Sequence, residues 1–187
     1  MADTVSELGP LAPLEGIWEG DKGADQSPDD DPKEIEHNQF RERLTFEPTG
    51  LVENHQQSLY GLRYGRTAWR IGADEPFHEQ VGYWLWDAER SEVMLSFIVP
   101  RGIMVLAGGK AAADAKSFRL ESELGSQVFG ICSSPFLDAE FKTVRYHMDV
   151  KYGADGSFTY EEDTVMQVNG QAEAFHHTDQ NTLYKVG

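Results

Sequence analysis

The stretch HNQFRERLTF, residues 37–46, decides the fold. Its apolar side chains Phe40, Leu44 and Phe46 share one parity, and arginine and threonine side chains occupy the other. Successive side chains of a β-strand point to opposite faces, so this alternation predicts a strand with one buried face and one face in water. Such a strand belongs to a sheet that covers a core on one side only.

Runs with the same alternation follow along most of the chain and are separated by glycine, proline, aspartate and asparagine. They cover residues 51–62, 65–71, 77–86, 92–99, 102–106, 117–124, 141–152, 157–168 and 174–186. Asp155-Gly156 and Asn169-Gly170 are dipeptides that favour tight hairpins, because their residues accept a positive φ. About ten strands with hairpin turns predict an all-β, antiparallel, up-and-down barrel of the lipocalin or fatty-acid-binding-protein type, since closure removes exposed sheet edges.

We expect one barrel domain over residues 14–187, preceded by a flexible N-terminal arm over residues 1–13 with little apolar periodicity. Residues 21–36 form an acidic, proline-containing stretch, which predicts a surface loop or a short helix at a barrel mouth. The less polar interruption over residues 129–139 is expected to close one end of the barrel. A barrel of this type would hold a small, largely apolar ligand in its interior.

Acidic residues dominate the charge of the chain, which has a formal net charge of -16 at pH 7. No cluster of lysines and arginines could neutralise phosphates, so neither a nucleic-acid partner nor an anionic membrane surface is expected. Cys132 is the only cysteine, which excludes an internal disulfide, and no CxxCH motif is present for covalent c-type haem. We find no signal peptide and no apolar stretch that could span a bilayer, and therefore expect a cytoplasmic protein, monomeric or homodimeric.

Two of the three segments that could form a ligand site lie in the first half of the chain. In GIWEG, residues 16–20, Trp18 shares one strand face with two glycines, a pattern suited to plug a barrel end. Phe77 and His78 open an aromatic-rich strand, where a lone histidine more often satisfies hydrogen bonds than binds a ligand. No HxxxH or HExxH spacing is present, so a zinc or dimetal site is not expected.

The third segment is the C-terminal strand, which contains the doublet His176-His177. Adjacent residues face opposite sides of a strand, so only one of the two can face inward, and the doublet cannot form a two-histidine metal site. One inward imidazole on a deep apolar cavity is suited to an axial position of a haem iron. We favour His177, because it shares parity with Asp179 and Leu183, and Asp179 could orient its imidazole. A bulge in the strand would turn His176 inward instead.

Together the three segments resemble the nitrobindin family, also described as the haem-binding domain of THAP4-like proteins. Residues 16–20 are similar to the family's opening GxWxGxG, residues 77–84 to its strand with a histidine and a glycine, and the closing strand to its proximal-ligand strand. The resemblance covers residues 14–186. This chain departs from the pattern where the third glycine comes one residue late, at Gly23, and where the acidic stretch replaces a tyrosine-proline-threonine sequence.

The resemblance implies a ten-stranded, fatty-acid-binding-protein-like barrel that holds haem b without covalent bonds. His177 would bind the iron, with His176 as the other candidate, and the pocket would be lined by Phe77, His78 and Trp18. Ferric haem would interact with nitric oxide and isomerise peroxynitrite to nitrate, which would make the protein a peroxynitrite isomerase. No catalytic residue is assigned.

Two other functions stay open at this point. A non-enzymatic carrier of a fatty acid or another small apolar ligand would pair the ligand's carboxylate with interior residues such as Arg145 and Tyr146, or Arg119. A barrel that acts through protein interaction, for instance through the acidic stretch 21–36, would have a filled interior without a cavity of about a few hundred cubic ångströms.

Overall fold

The chain folds into a closed β-barrel in the computed structural model, which describes residues 6–29 and 34–187. Within these residues the barrel has eleven strands and one short α-helix. They are β1 (Gly16–Pro28), β2 (Ile35–Glu53), β3 (Ser58–Arg70), β4 (His78–Asp87), β5 (Glu92–Val99), β6 (Ile103–Lys110), β7 (Ser117–Leu124), β8 (Gly130–Ser133), α1 (Pro135–Glu140), β9 (Phe141–Tyr152), β10 (Phe158–Val168) and β11 (Phe175–Lys185).

The order of strands around the barrel is β1-β11-β10-β9-β7-β8-β6-β5-β4-β3-β2, and β2 closes the ring on β1. The predicted all-β barrel is therefore confirmed. It differs from the expectation in strand count and in one pairing, because the short strand β8 lies between β6 and β7 and runs parallel to β7. All other neighbouring strands pair antiparallel.

Strand β2 has the predicted alternation. Phe40, Leu44 and Phe46 are buried inside the barrel, and Arg41 and Arg43 between them are exposed. The inward side of the barrel thus contains the core, and the outward side faces water.

The N-terminal segment Ser6–Leu14 closes one end of the barrel with 3-10 turns. Leu8, Leu11 and Leu14 are fully buried in the barrel core. Two hydrogen bonds fasten the segment: Trp18 Nε1 donates to the Leu14 carbonyl at 2.7 Å, and the Tyr152 hydroxyl donates to the Pro10 carbonyl at 2.8 Å. The expected loose arm over residues 1–13 is thus wrong from Ser6 onward, because leucines spaced by three residues plug the barrel; residues 1–5 lie outside the described residues.

The acidic stretch 21–36 extends a hairpin and is not a surface loop or a helix in its described parts. Strand β1 continues through it to Pro28, which pairs with Ile35 at the start of β2. Residues 30–33 lie outside the described residues. The expectation was wrong here because backbone pairing with a neighbouring strand stabilises extended structure even where the side chains are acidic.

The interruption over residues 129–139 contributes β8 and α1. Ser134 caps α1, since its hydroxyl accepts a hydrogen bond from the Leu137 amide at 3.5 Å, and Leu137 lines the interior at the end opposite the N-terminal segment. Among the described residues, no helix is both long enough and apolar enough to cross a membrane.

Candidate functional site

A cavity of about 550 Å³ lies inside the barrel, at the end opposite the N-terminal segment. Its size is in the range of pockets that hold small molecules, about 300–1,000 Å³. The cavity therefore differs from the filled interior that we expected for a barrel that acts only through protein interaction. The apolar part of the wall is built by Phe40, Phe77, Phe97, Val99, Ile103, Val105, Leu137, Phe141, Tyr146 and Met166.

His177 and His176 of β11 lie on opposite sides of the barrel wall. His177 lines the cavity, with 30% of its side chain exposed. His176 points outward, where 53% of its side chain is exposed and its Nδ1 lies 2.7 Å from Asp163 Oδ2. The strand therefore runs without the bulge that would have turned His176 inward.

Asp25 of β1 is the partner of His177. Its Oδ1 lies 2.7 Å from His177 Nε2, and its other carboxylate oxygen accepts hydrogen bonds from Asn38 and Ser27. Burial opposes a charge on His177, but the hydrogen bond with Asp25 and the nearby Asp179 carboxylate outweigh it and raise the pKa of His177. Burial likewise opposes a charge on Asp25, yet the bond with His177 lowers the pKa of Asp25. The pair is thus biased toward imidazolium and carboxylate.

Asp179 does not take the role expected of it. Its Oδ1 accepts a hydrogen bond from Arg66 Nη2 at 2.8 Å, and Asp25 takes the place beside His177 instead. Asp25 and His177 are 152 residues apart in the sequence, so no local pattern could have connected them. One side-chain nitrogen or oxygen atom from each of Asp25, His177 and Asp179 lies within 4.8 Å of the other two, close enough that the three could bind one metal ion.

Arg66 of β3 is the centre of a buried charge cluster at the base of the cavity, with 4% of its side chain exposed. Its Nε donates to Glu42 Oε2 at 2.7 Å, and its Nη1 donates to Glu162 Oε2 at 3.1 Å. The Tyr160 hydroxyl accepts from Arg66 Nη2 at 2.6 Å and donates to Glu42 Oε1 at 2.8 Å. With Asp179, three carboxylates therefore surround one guanidinium.

The pKa values of two of these carboxyl groups are raised. Burial, reinforced by repulsion from Asp179, raises the pKa of Glu162 to about 8, although Arg66 opposes the change. Burial also raises the pKa of Glu42. Glu162 therefore retains a proton near neutral pH. Sequence reasoning missed the cluster, although the position of Glu42 between Phe40 and Leu44 on the buried parity was a usable signal.

Phe77 and His78 both line the cavity, next to Gln80. His78 Nε2 donates to the Gln80 side-chain oxygen at 2.9 Å, and Gln80 Nε2 donates to the Tyr64 hydroxyl at 2.8 Å. Burial, helped by the charge of Arg66, lowers the pKa of His78 to about 4. His78 is thus a neutral imidazole in the cavity wall, unlike His177.

Other predicted site residues lie elsewhere. Trp18 is buried at the closed end against Phe158, with ring centroids 5.9 Å apart, and does not line the cavity. It therefore plugs the barrel end, the alternative role expected for it. Arg119 and Arg145 are exposed on the outer surface, and only Tyr146 of the residues considered for a fatty-acid carboxylate lines the cavity.

The fold is similar to the crystal structure of Rv2717c from M. tuberculosis, with a TM-score of 0.67 over 100% of this chain and 99% of that chain. The two sequences are 20% identical, so this likeness concerns the fold alone. No curated protein matches the chain significantly. The family model described as "THAP4-like, heme-binding beta-barrel domain" matches residues 7–185, nearly the whole chain. The resemblance found in the sequence is thereby confirmed, and the chain belongs to the family of THAP4-like, haem-binding β-barrel domains.

Proposed function

We propose that the chain holds haem b non-covalently in the cavity and that His177 supplies an axial ligand of the iron. The observation that carries the proposal is a histidine in the wall of a cavity of about 550 Å³, in a chain of a haem-binding family. The apolar wall supports it, because a porphyrin needs a largely apolar pocket.

His177 has a carboxylate partner on Nε2, the ring nitrogen through which histidine usually binds haem iron, so iron would bind the open Nδ1 or take the place of Asp25 at Nε2. A metal-binding histidine usually gives its second ring nitrogen to a carboxylate, which fixes the ring and raises its basicity. Asp25 binds one ring nitrogen of His177, and within residues 6–29 and 34–187 no group hydrogen-bonds the other nitrogen, Nδ1. Asp25 would therefore orient the imidazole. Binding of iron requires that His177 give up its proton, so we expect haem affinity to fall at acidic pH.

Bound haem would supply, in its ferric state, an iron centre that interacts with nitric oxide and isomerises peroxynitrite to nitrate, as the nitrobindin resemblance implies. The residues of this chain would shape the space around it. Phe77 and Phe97 would exclude water, and the neutral pair of His78 and Gln80 would offer uncharged hydrogen-bonding groups to a small polar molecule.

Reconstitution with hemin tests the proposal. We expect the wild-type protein to develop a Soret band, and His177→Ala to lose it or shift it, because the axial ligand is removed. His176→Ala is the matched control, since it removes the same side chain from the outer face of the same strand. A wild-type protein without a Soret band, or equal spectra for both variants and the wild type, would disprove the role of His177. Nitrate yield from peroxynitrite, with and without hemin, tests the activity on the same samples.

A further inference from the structure

Three arginines line the cavity, and they differ in their partners. Arg66 is enclosed by the charge cluster described above. Arg70 Nη2 lies 3.3 Å from a Glu36 carboxylate oxygen, and its Nε donates to the Asn38 side-chain oxygen at 2.9 Å. Arg101 forms no ion pair with any residue in the described part of the chain. It is therefore the lining cation whose charge is available to a ligand.

The backbone of Arg101 is held in place at the cavity mouth. Arg101 lies in the turn between β5 and β6, where the Gly102 amide donates to the Val99 carbonyl at 2.9 Å. Gly102 has a φ of 87°, which glycine adopts without strain. Ser134, the cap of α1, binds this turn twice: its amide donates to the Gly102 carbonyl at 2.7 Å, and its hydroxyl to the Arg101 carbonyl at 3.4 Å.

The side chain of Arg101 lies beside apolar wall. Its guanidinium carbon is 6.0 Å from the centre of the Phe141 ring, and Phe141, Val99 and Ile103 line the cavity next to it. Arg101 is exposed to solvent, whereas these neighbours are partly buried. A cation at the mouth of an apolar cavity complements a ligand with an anionic end and an apolar body.

We propose that Arg101 is the anion-binding subsite of the cavity and pairs with a carboxylate of an amphiphilic ligand whose apolar body lies inside. For haem, this inference rests on the proposed function, and the carboxylate is a propionate. The other cationic side chains described in the lining support the assignment, because each already lies beside a carboxylate: Arg66 beside Asp179, Arg70 beside Glu36 and His177 beside Asp25.

The test compares a carboxylate ligand with its ester. Affinities of hemin and of hemin dimethyl ester are measured for the wild type, Arg101→Gln and Arg63→Gln. Arg63 is an exposed arginine paired with Glu47 on the outer surface and serves as the matched control. We expect Arg101→Gln to weaken hemin binding by about threefold to tenfold, as for an exposed charge-assisted pair, and to leave the ester unchanged. Arg63→Gln should change neither affinity.

The outcomes separate this inference from the proposed function. If hemin binds the wild type and Arg101→Gln equally well, the anion subsite is disproved while haem binding stands. If the wild type does not bind hemin, the proposed function fails, and a fluorescent long-chain fatty acid and its methyl ester become the probes. If Arg101→Gln then weakens binding of the free acid but not of the ester, the subsite is supported. Equal binding of acid and ester, or no binding of either, overturns it.

Discussion

At the residue scale, Arg66 and its three carboxylates place several ionisable groups where water is largely excluded. Removing ions from water costs several kcal/mol each, and their mutual attraction offsets this only with close geometry and further hydrogen bonds. Tyr160 and Asn181 provide such bonds to Glu42. One guanidinium cannot neutralise three carboxylates, so protonation of a carboxyl group is the remaining way to lower the buried charge.

Glu162→Gln tests this reading through the pH dependence of stability. The pKa of Glu162 is about 8 in the folded protein, well above its ordinary value of 4.5. Between these values the folded state retains a proton that the unfolded state releases, so this group makes stability fall as pH rises from about 4.5 to 8. Glutamine does not titrate, and we expect the free energy of unfolding of Glu162→Gln, measured with urea, to decline less over that range.

The control for this measurement is Glu161→Gln. Glu161 is the preceding residue of β10 and is exposed, so its replacement should leave the pH dependence as in the wild type. The same slope in all three proteins would show that Glu162 does not hold the extra proton.

At the scale of elements, the N-terminal segment Ser6–Leu14 acts as part of the barrel core. Its leucines are fully buried. Replacing any one of them with alanine should lower the free energy of unfolding by about 2–5 kcal/mol. Gly9 lets the segment approach Trp86: a Cβ at Gly9 would lie 2.5 Å from the indole Nε1. The φ of Gly9 is 55°, in the left-handed region.

Gly9→Ala should therefore destabilise the protein more than Gly50→Ala. Both glycines have a positive φ, but a Cβ at Gly50 would meet nothing within 4 Å. A positive φ makes alanine unfavourable at both positions, and Gly9→Ala adds a steric cost of about 1–3 kcal/mol. Free energies of unfolding from denaturant titration measure the difference. Equal losses would mean that the segment does not pack on Trp86 as described.

At the scale of the whole molecule, the length over which neighbouring strands pair differs around the barrel. Strands β2 and β3 pair from Phe40↔Arg70 to Glu53↔Ser58. Strands β6 and β7 share only the pair Gly108↔Glu121, and the four-residue strand β8 bridges the remaining gap. Short pairing leaves fewer backbone hydrogen bonds to break, so we regard β6–β8–β7 as the seam of the barrel.

Amide hydrogen exchange should reveal this seam. We expect the amides of β8 to exchange faster than the paired amides of β3, because local opening at β8 breaks few hydrogen bonds. Exchange followed by mass spectrometry measures both strands in the same sample, so β3 is the internal reference. Comparable protection of the two strands would contradict the description of a weak seam.

Much of the fold could be predicted from the sequence. Period-two alternation depends only on which residues are apolar, and hairpin dipeptides act locally, so both can be recognised in a single chain. Parity also separated His177 from His176, because adjacent residues of a strand face opposite sides. The N-terminal segment and the acidic stretch were misjudged because neither shows the alternation: the first folds into 3-10 turns, and the second is extended only through its pairing partner.

The sequence by itself thus determined a barrel with a histidine facing its interior. Only the tertiary structure decided the partners of that site: Asp25 beside His177, and the carboxylates around Arg66. The physical reason is that these side chains come from strands far apart in the chain, and hydrogen bonds and charges act over a few ångströms in space. Their distances are defined only once the strands pair around the ring and the barrel closes.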